Sequence, residues 1–597
     1  MRNFFASLFG ALIGIFLAFF LIFIFVVGMV NSAVKSIKKD STTITSSSSV
    51  LEIRLSHEIK ERSPERSFNF KLDDNEKVFT ENSGLNDIIL DIQHAATDNS
   101  IKGIFLDLSD VPSGIATVEN IRNELLKFKE SHKFIIAYSS GYSQKSYYLA
   151  SVADNVYLYP EGEIFMKGLS AQIMFYKKAL DKLGIEVQVF RHGRYKSFVE
   201  PYILEKMSPD NKLQTRMLLT SVWDKMLGEI GASRNITVAT LNELIDNLTV
   251  HTAQLAKENK FVDDLLYPDE VIDKIKTKLS LPATKNISFI GLDDYRETFT
   301  PSEYQSGIPK TPLSKIAIIY AYGDIVQGNG NGDDIGSKRI SEAIQQARLD
   351  ANVKAIVLRV NSPGGDALAS DIIWREVDMA KKVKPVVVSM GDYAASGGYY
   401  IACDANEIVA EPNTITGSIG VFGLIPNAQG FLSDKLGITV DTVSTNTHAA
   451  AGSVLYPLMS SEAAVLQGGI ENFYHTFLTR VADGRKLTTA QVDSIAQGRV
   501  WTGTQALQIG LVDTLGGMKM AIAIAAKKAH ITSYTIEELP GMISPLRKLL
   551  SRFSGDDAES KILEKELGNM YEPVQELSKA IQMKGVQARM PYQLIIE

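Results

Sequence analysis

The sequence predicts an α/β protein that uses one fold twice behind an N-terminal transmembrane helix. Three observations carry this. Short apolar runs alternate with stretches of helical spacing, four sequence blocks recur at a nearly constant offset, and a long uncharged segment stands near the start of the chain. The composition is that of a globular protein: 597 residues, 45% hydrophobic and 22% charged. It excludes wholesale disorder, collagen and a disulfide-stapled miniprotein.

The uncharged segment runs from Phe4 to Val30, and Ser7 is its one clearly polar side chain. A helix needs roughly 20 apolar residues to cross a bilayer. A secretory signal core is usually about 7–15 residues long and is followed by a small-residue cleavage site. Residues 1–40 therefore read as a retained anchor. Arg2 flanks one side and Lys35, Lys38 and Lys39 the other, a balance that points by one charge to a cytoplasmic body.

Residues 41–50, within STTITSSSSV, read as a flexible tether. Residues 51–295 form a first repeat with strands at Ile104–Leu108 and Phe134–Tyr138 and a helix at Glu119–Glu130, the rhythm of βαβ units. Residues 296–315 hold Pro301, Pro309 and Pro312 and read as a linker, and residues 316–543 form a second repeat. The pairs IKGIFLDL/VKAIVLRV and YYLASVAD/YYIACDAN lie 252 residues apart, KLGIEV/KLGITV 253, and FVDDL/LVDTL 250. An offset held over four blocks is a tandem duplication. Residues 544–597 read as a charged tail whose end, MPYQLIIE, has the pattern of an added strand. The tail carries no recognisable chemistry and reads as a solvated face, with a partner-binding or capping role as the alternative.

Net charge and residue types narrow the function. Lys+Arg number 62 against 69 Asp+Glu, so no basic excess points to nucleic acid. The single cysteine, Cys403, rules out an intrachain disulfide and a Cys-rich metal site, and its run YYIAC makes it a core residue. The eight histidines form no HExxH pair, GxSxG is absent, and the SxxK matches at Ser32 and Ser36 border the anchor, away from any fold. No metal or cofactor is expected.

The informative positions are those where the two copies differ. After its strand the second copy has Asn361-Ser362-Pro363-Gly364-Gly365, where the first has Ser109 to Ser113. Paired glycines let backbone N–H groups approach a developing oxyanion, although the same pair also suits a plain tight turn. Ser396 lies in GDYAASGGYY between small residues, Gly397 among them, after the strand VVVSM, and its counterpart is Gln144. A strand-to-helix turn of this kind exposes a nucleophile, or it is simply close packing. Lys196, in RHGRYKSFVEPY of the first copy, faces Ala449 in the second. Together these differences describe a split site, with a serine and a glycine loop in one half and a lysine in the other. A lysine base must fall from about 10.4 towards about 7, which costs roughly 4–5 kcal/mol and requires burial. His192, four residues before Lys196, offers a minor Ser/His alternative.

NSPGG, GDYAASGGYYIAC, ITGSIGV and VWTGTQALQIGLVD, with RYKSFVEPY in the first half, resemble signal peptide peptidase A in its long, duplicated form. The resemblance covers about residues 51–540 and the anchor. It implies a Clp protease/crotonase-like fold, built of repeated ββα units and used twice. It implies Ser396 as nucleophile and Lys196 as general base, Gly364, Gly365 and Gly397 as backbone around the oxyanion, and Ser418 of TGSIG as a residue orienting the lysine. It further implies signal peptides and other short apolar peptides as substrates and a homotetramer. The catalytic body would then lie outside the cytoplasm on a single-pass anchor in the bacterial inner membrane. On topology the expectation follows the resemblance over the one-charge margin. Two rival readings are a crotonase-like acyl-CoA-handling enzyme and a non-catalytic membrane scaffold, the latter marked by a wide separation of Lys196 from Ser396.

Overall fold

The computed structural model describes residues 49–63, 83–299, 314–541 and 585–590. The predicted anchor, most of the linker and most of the charged tail lie outside these residues. Among the described residues no helix is long and apolar enough to cross a membrane.

The first half contributes β1 (Ser49–Ile53), β2 (Ile101–Asp107), β3 (Phe134–Tyr142), β4 (Asn155–Ile164), β5 (Glu186–His192), β6 (Asp264–Leu265) and β7 (Ser288–Gly291). All but β5 form a parallel sheet in the order β6-β4-β3-β2-β1-β7. β1 starts inside the stretch expected to be tether: Ser49 and Val50 are fully buried because they pair with β2 and β7.

The second half contributes β8 (Lys315–Tyr322), β9 (Ile325–Val326), β10 (Ile335–Gly336), β11 (Val353–Ser362), β12 (Gly364–Asp366), β13 (Val386–Ala395), β14 (Glu407–Ala410), β15 (Ile415–Gly417), β16 (Val421–Asn427), β17 (Val500–Thr502), β18 (Thr514–Leu515) and β19 (Thr535–Leu539). Its main sheet runs β17-β15-β13-β11-β8-β19, with β14 between β13 and β18. Near-continuous apolar runs such as VKAIVL in β11 suit a parallel sheet covered on both faces.

The duplication is explicit in three dimensions. β2 and β11, the helices Ile115–Lys129 and Ala367–Lys381, and β3 and β13 all start 252 residues apart. Each half also carries a 26-residue helix, Pro209–Arg234 and Ser460–Arg485. The protein is thus mixed α/β with one plan used twice.

A third sheet joins the halves in the order β10-β9-β12-β20-β16-β5, where β20 is Gln587–Arg589 of the C-terminal tail. β5 of the first repeat runs antiparallel to β16 of the second, from Val421↔His192 to Asn427↔Glu186. The added strand comes just before the MPYQLIIE expected for it. It is not a solvated face: Ala588 is fully buried, because β12 and β16 take its two edges.

Side chains also cross between the halves. The helix Ile115–Lys129 begins at Gly114, which has no capping side chain. Asp392 of the second repeat supplies the cap, accepting from Thr117 N–H at 2.9 Å and from Thr117 Oγ1 at 2.6 Å. A methyl on Gly114 would meet that carboxylate at 2.1 Å. Arg359 is buried against Glu61, Nε to Oε2 2.8 Å, and Glu61 also accepts from Asn361 Nδ2 at 2.9 Å. Asn361 in turn accepts from Tyr393 N–H, so the first repeat braces the loop that leads to Ser396.

Candidate active site

Ser396 sits at the turn between β13 and a short helix, Gly397–Ala402. Its backbone has φ 54° and ψ −113°, a conformation that costs a non-glycine residue about 1–3 kcal/mol and persists only where the surroundings impose it. Here Ser396 N–H donates to Gly417 O at 2.7 Å and Ser396 O accepts from Tyr400 N–H at 2.8 Å. Gly398 lets this turn lie against Ser362, whose carbonyl oxygen is 2.7 Å from where a methyl would stand.

Lys196 follows β5, and the β5–β16 pairing carries it across to the second repeat. Tyr195 N–H donates to Gln497 O at 2.9 Å, and Gly498, at φ +80°, lets the lysine backbone pass within a distance no side chain would allow. Lys196 Nζ lies 2.7 Å from Ser396 Oγ, 3.0 Å from Ser418 Oγ and 3.0 Å from Ser418 O. Lys196, Ser396 and Ser418 are all fully buried. The three groups around Nζ are neutral, so nothing offsets desolvation, and burial drives the lysine pKa well below that of a free lysine. Ser418 is itself at φ 52°, and its N–H is given to Arg499 O at 2.7 Å.

The glycines form a cradle beside Ser396. Gly364 has φ +104° and donates its N–H to Ser362 Oγ at 3.1 Å. Gly364 therefore contributes a bare α-carbon rather than the N–H expected of it. A methyl there would lie 2.1 Å from Ala588 O and 2.8 Å from Gly397 N, and a methyl on Gly397 would lie 3.0 Å from Ala588 O and 3.2 Å from Gly365 N. The backbone nitrogens of Gly365 and Gly397 thus border one small space, and the carbonyl oxygen of Ala588 occupies it.

The rival candidates are placed elsewhere. His192 Nδ1 is 2.5 Å from Glu471 Oε2 and its ring stacks on Tyr474 with centroids 3.8 Å apart, so it serves a structural contact. Cys403 is buried in the core, where desolvation holds its thiol neutral. Among the described residues no group of three or more His, Cys, Asp or Glu is placed to hold a metal ion. The wide separation that would mark a scaffold is not found: Lys196 and Ser396 are in hydrogen-bond contact. Sequence reasoning expected an added strand in the tail but not its place in the cradle, and it missed the turn Gln497–Arg499 that seats both Lys196 and Ser418. The one signal in the latter was the pair Gln497-Gly498 just before VWTGT.

Residues 127–281 and 378–532 each match peptidase family S49, which places the duplication inside one family. Protease 4 of Salmonella typhi is 40% identical over 470 residues, covering 76% of this chain and 74% of that protein. The chloroplastic serine protease SPPA of Arabidopsis thaliana is 35% identical over 471 residues, covering 76% and 68%. A putative signal peptide peptidase SppA of Enterococcus faecium is 31% identical over 241 residues, covering 40% of this chain and 70% of its own.

Proposed function

Because this chain belongs to peptidase family S49 and is a serine protease, we propose that Ser396 and Lys196 are its catalytic dyad, with Ser396 as nucleophile and Lys196 as general base. The observation that carries the reading is the 2.7 Å approach of a fully buried, carboxylate-free lysine to a serine held in a strained turn. A neutral lysine has two N–H groups and one lone pair. The N–H groups suit Ser418 O and Ser418 Oγ, which leaves the lone pair for the Ser396 hydroxyl proton.

As Ser396 Oγ adds to a peptide carbonyl, its proton passes to Lys196 Nζ and negative charge develops on the carbonyl oxygen. The backbone nitrogens of Gly365 and Gly397 border the space that oxygen would enter, and N–H groups there would stabilise it. The lysine then protonates the departing amine, and in the second half of the reaction it takes a proton from the water that frees the acyl-serine. Ser418 positions the lysine through its carbonyl and hydroxyl oxygens.

The substrates proposed are cleaved signal peptides and other short apolar peptides at the membrane. Support comes from the uncharged run Phe4–Val30, which would hold the body at the bilayer, and from the likeness to the E. faecium protein named above. On this reading the body is a homotetramer on the outer side of the bacterial inner membrane. Labelling with a fluorophosphonate probe in detergent tests the chemistry. Wild type should label at Ser396, Ser396→Ala should not, and Lys196→Ala should label at least about 100-fold more slowly. Undiminished labelling of Lys196→Ala would remove the lysine from the mechanism.

A further inference from the structure

We infer, resting on the dyad reading above, that Tyr474 is a positioning residue for the lysine base. Its ring supports the strand that delivers Lys196, and its hydroxyl holds the turn Gln497–Arg499 that encloses the lysine.

Three residues of the site meet at this turn. Tyr195 N–H donates to Gln497 O at 2.9 Å, Gly498 N–H donates to Ile419 O at 2.8 Å, and Ser418 N–H donates to Arg499 O at 2.7 Å. A methyl on Gly498 would stand 2.6 Å from Lys196 N and 2.8 Å from its Cβ. Two residues past Ser418, Gly420 O accepts from Ser396 Oγ at 3.4 Å. A shift of the turn therefore moves the lysine, the serine beside it and the surroundings of the nucleophile together.

The turn does not hold itself. Gln497 has φ 55° and Gly498 φ +80°. Glycine enters that region freely, but a residue with a side chain stays there only where its surroundings impose it. Those surroundings come from two helices. Tyr474, in the helix Ser460–Arg485, accepts from Gln497 N–H at 3.3 Å and donates its own hydroxyl proton to Asp493 Oδ1 at 2.5 Å. Asp493, in the helix Thr489–Ile495, accepts from Gln497 Nε2 at 2.6 Å on the same oxygen. Both the backbone and the side chain of Gln497 thus end on one Tyr–Asp pair.

Tyr474 also reaches the other segment around the lysine. Its buried ring stacks on His192 of β5, four residues before Lys196, and His192 Nδ1 is 2.5 Å from Glu471 of the same helix. No charged group is turned on the base. Nζ meets Ser396 and Ser418, Arg191 Nη1 donates to Lys196 O at 3.3 Å, and the Arg499 guanidinium lies over the rings of Tyr195 and Trp501. Burial alone keeps the lysine neutral, so its basicity depends on how tightly the turn shuts out water. A loosened turn admits water and returns the amine towards the behaviour of a free lysine.

The test uses the full-length protein in detergent and follows the rate of fluorophosphonate labelling at Ser396 against pH, beside kcat and KM for a peptide and a melting curve. Tyr474→Phe keeps the ring and removes the hydroxyl. At neutral pH it should label about tenfold more slowly, with the midpoint of the pH rise about one unit higher and KM within about twofold of wild type. Asp493→Ala, at a half-buried position, should move rate and midpoint the same way, and Asp493→Asn, which keeps an acceptor oxygen for both partners, should restore most of the loss. An unmoved midpoint in Tyr474→Phe, or in Asp493→Ala should the first variant not fold, overturns the inference, because a purely structural role lowers the rate without moving the midpoint. The rise itself should be absent from Lys196→Ala. A rise that persists there overturns the dyad and the inference with it, whereas a rise lost there but unmoved in Tyr474→Phe overturns the inference and leaves the dyad standing.

Discussion

The two repeats share a strand–helix frame yet treat the same turn in opposite ways. In the second repeat the turn holds Ser396, followed by Gly397 and bordered by Gly364 and Gly365, and it leaves room for a carbonyl oxygen. In the first repeat the equivalent positions are Gln144 and Lys145, and they fill that room. Gln144 Oε1 accepts from the N–H groups of Lys167 and Gly168 at 3.0 and 2.9 Å, and Lys145 Nζ donates to Ser113 O at 3.1 Å, where Gly365 stands in the other copy. The contrast reverses at the lysine. The first repeat has β5 and Lys196, whereas the matching stretch after Lys435 forms no strand, leaves Val443 99% exposed and places Ala449 at the surface. A strand survives where β16 pairs with it, and the matching stretch has no such partner among the described residues. Each copy has kept what the other's geometry lets it use.

The comparison can be broken most sharply at the dyad. Ser396→Ala and Lys196→Ala should each lower peptidase kcat/KM by about 10³-fold or more with little effect on thermal unfolding. Adding Gln144→Ser to Ser396→Ala should recover nothing, because Lys145 and Ser113 leave no cradle. Any recovered turnover would show the first repeat to be a usable site. Because the free base is the active form and burial lowers its pKa, kcat/KM of wild type should rise with pH and level off well below the range of an ordinary lysine. A rise that continues to about pH 10 would contradict the burial argument.

A smaller effect is expected at the cradle. Gly364→Ala puts a methyl into the space held by Ala588 O, at a backbone angle that suits glycine, and should cost about 100-fold in kcat/KM. Steady-state kinetics beside a melting curve separate this loss from misfolding. Ser418→Ala removes one of the groups holding the lysine and should lower kcat about tenfold with KM little changed, while Ser418→Thr should restore part of it.

The smallest effect concerns the seam between the repeats. Glu119 of the first and Glu411 of the second are buried near one another, and desolvation is the leading cause that raises them to about 8 and about 7, with Glu411 adding to the rise at Glu119. A carboxyl group raised in the folded state stabilises least where it must ionise. Stability should therefore decline as pH climbs from the ordinary carboxylate range, near 4.5, through about 8. The melting temperature should drop by a few degrees over that interval, and Glu119→Gln should flatten the decline. An equal slope in wild type and variant would place the titration elsewhere.

Much of this was legible in the sequence because duplication supplies its own control. Ser396 against Gln144, and Lys196 against Ala449, stand out only when the halves are aligned. Strands such as β2 and β11 announce themselves as unbroken apolar runs. Other features were hidden for physical reasons. That Gly364 N–H turns to Ser362 is a matter of torsion angles, which a Gly-Gly pair does not specify. The β5–β16 pairing joins segments more than 200 residues apart, and neither carries a mark naming its partner. β20 is three residues long, too short for any periodicity, and its burial depends on the edges of two distant strands. The start of β1 at Ser49 escaped because a serine-rich run reads as tether even where pairing on both edges buries it.

The β5–β16 seam has a bearing on biosynthesis. The base is translated some 200 residues ahead of the nucleophile, and it can shed its charge only after that antiparallel pair has closed over it. Until then the amine is an ordinary solvated cation and the hydroxyl an ordinary alcohol. An emerging polypeptide, or one snapped between its halves, is thus inert towards its neighbours, and the capacity to cut arrives only with completed assembly of the whole.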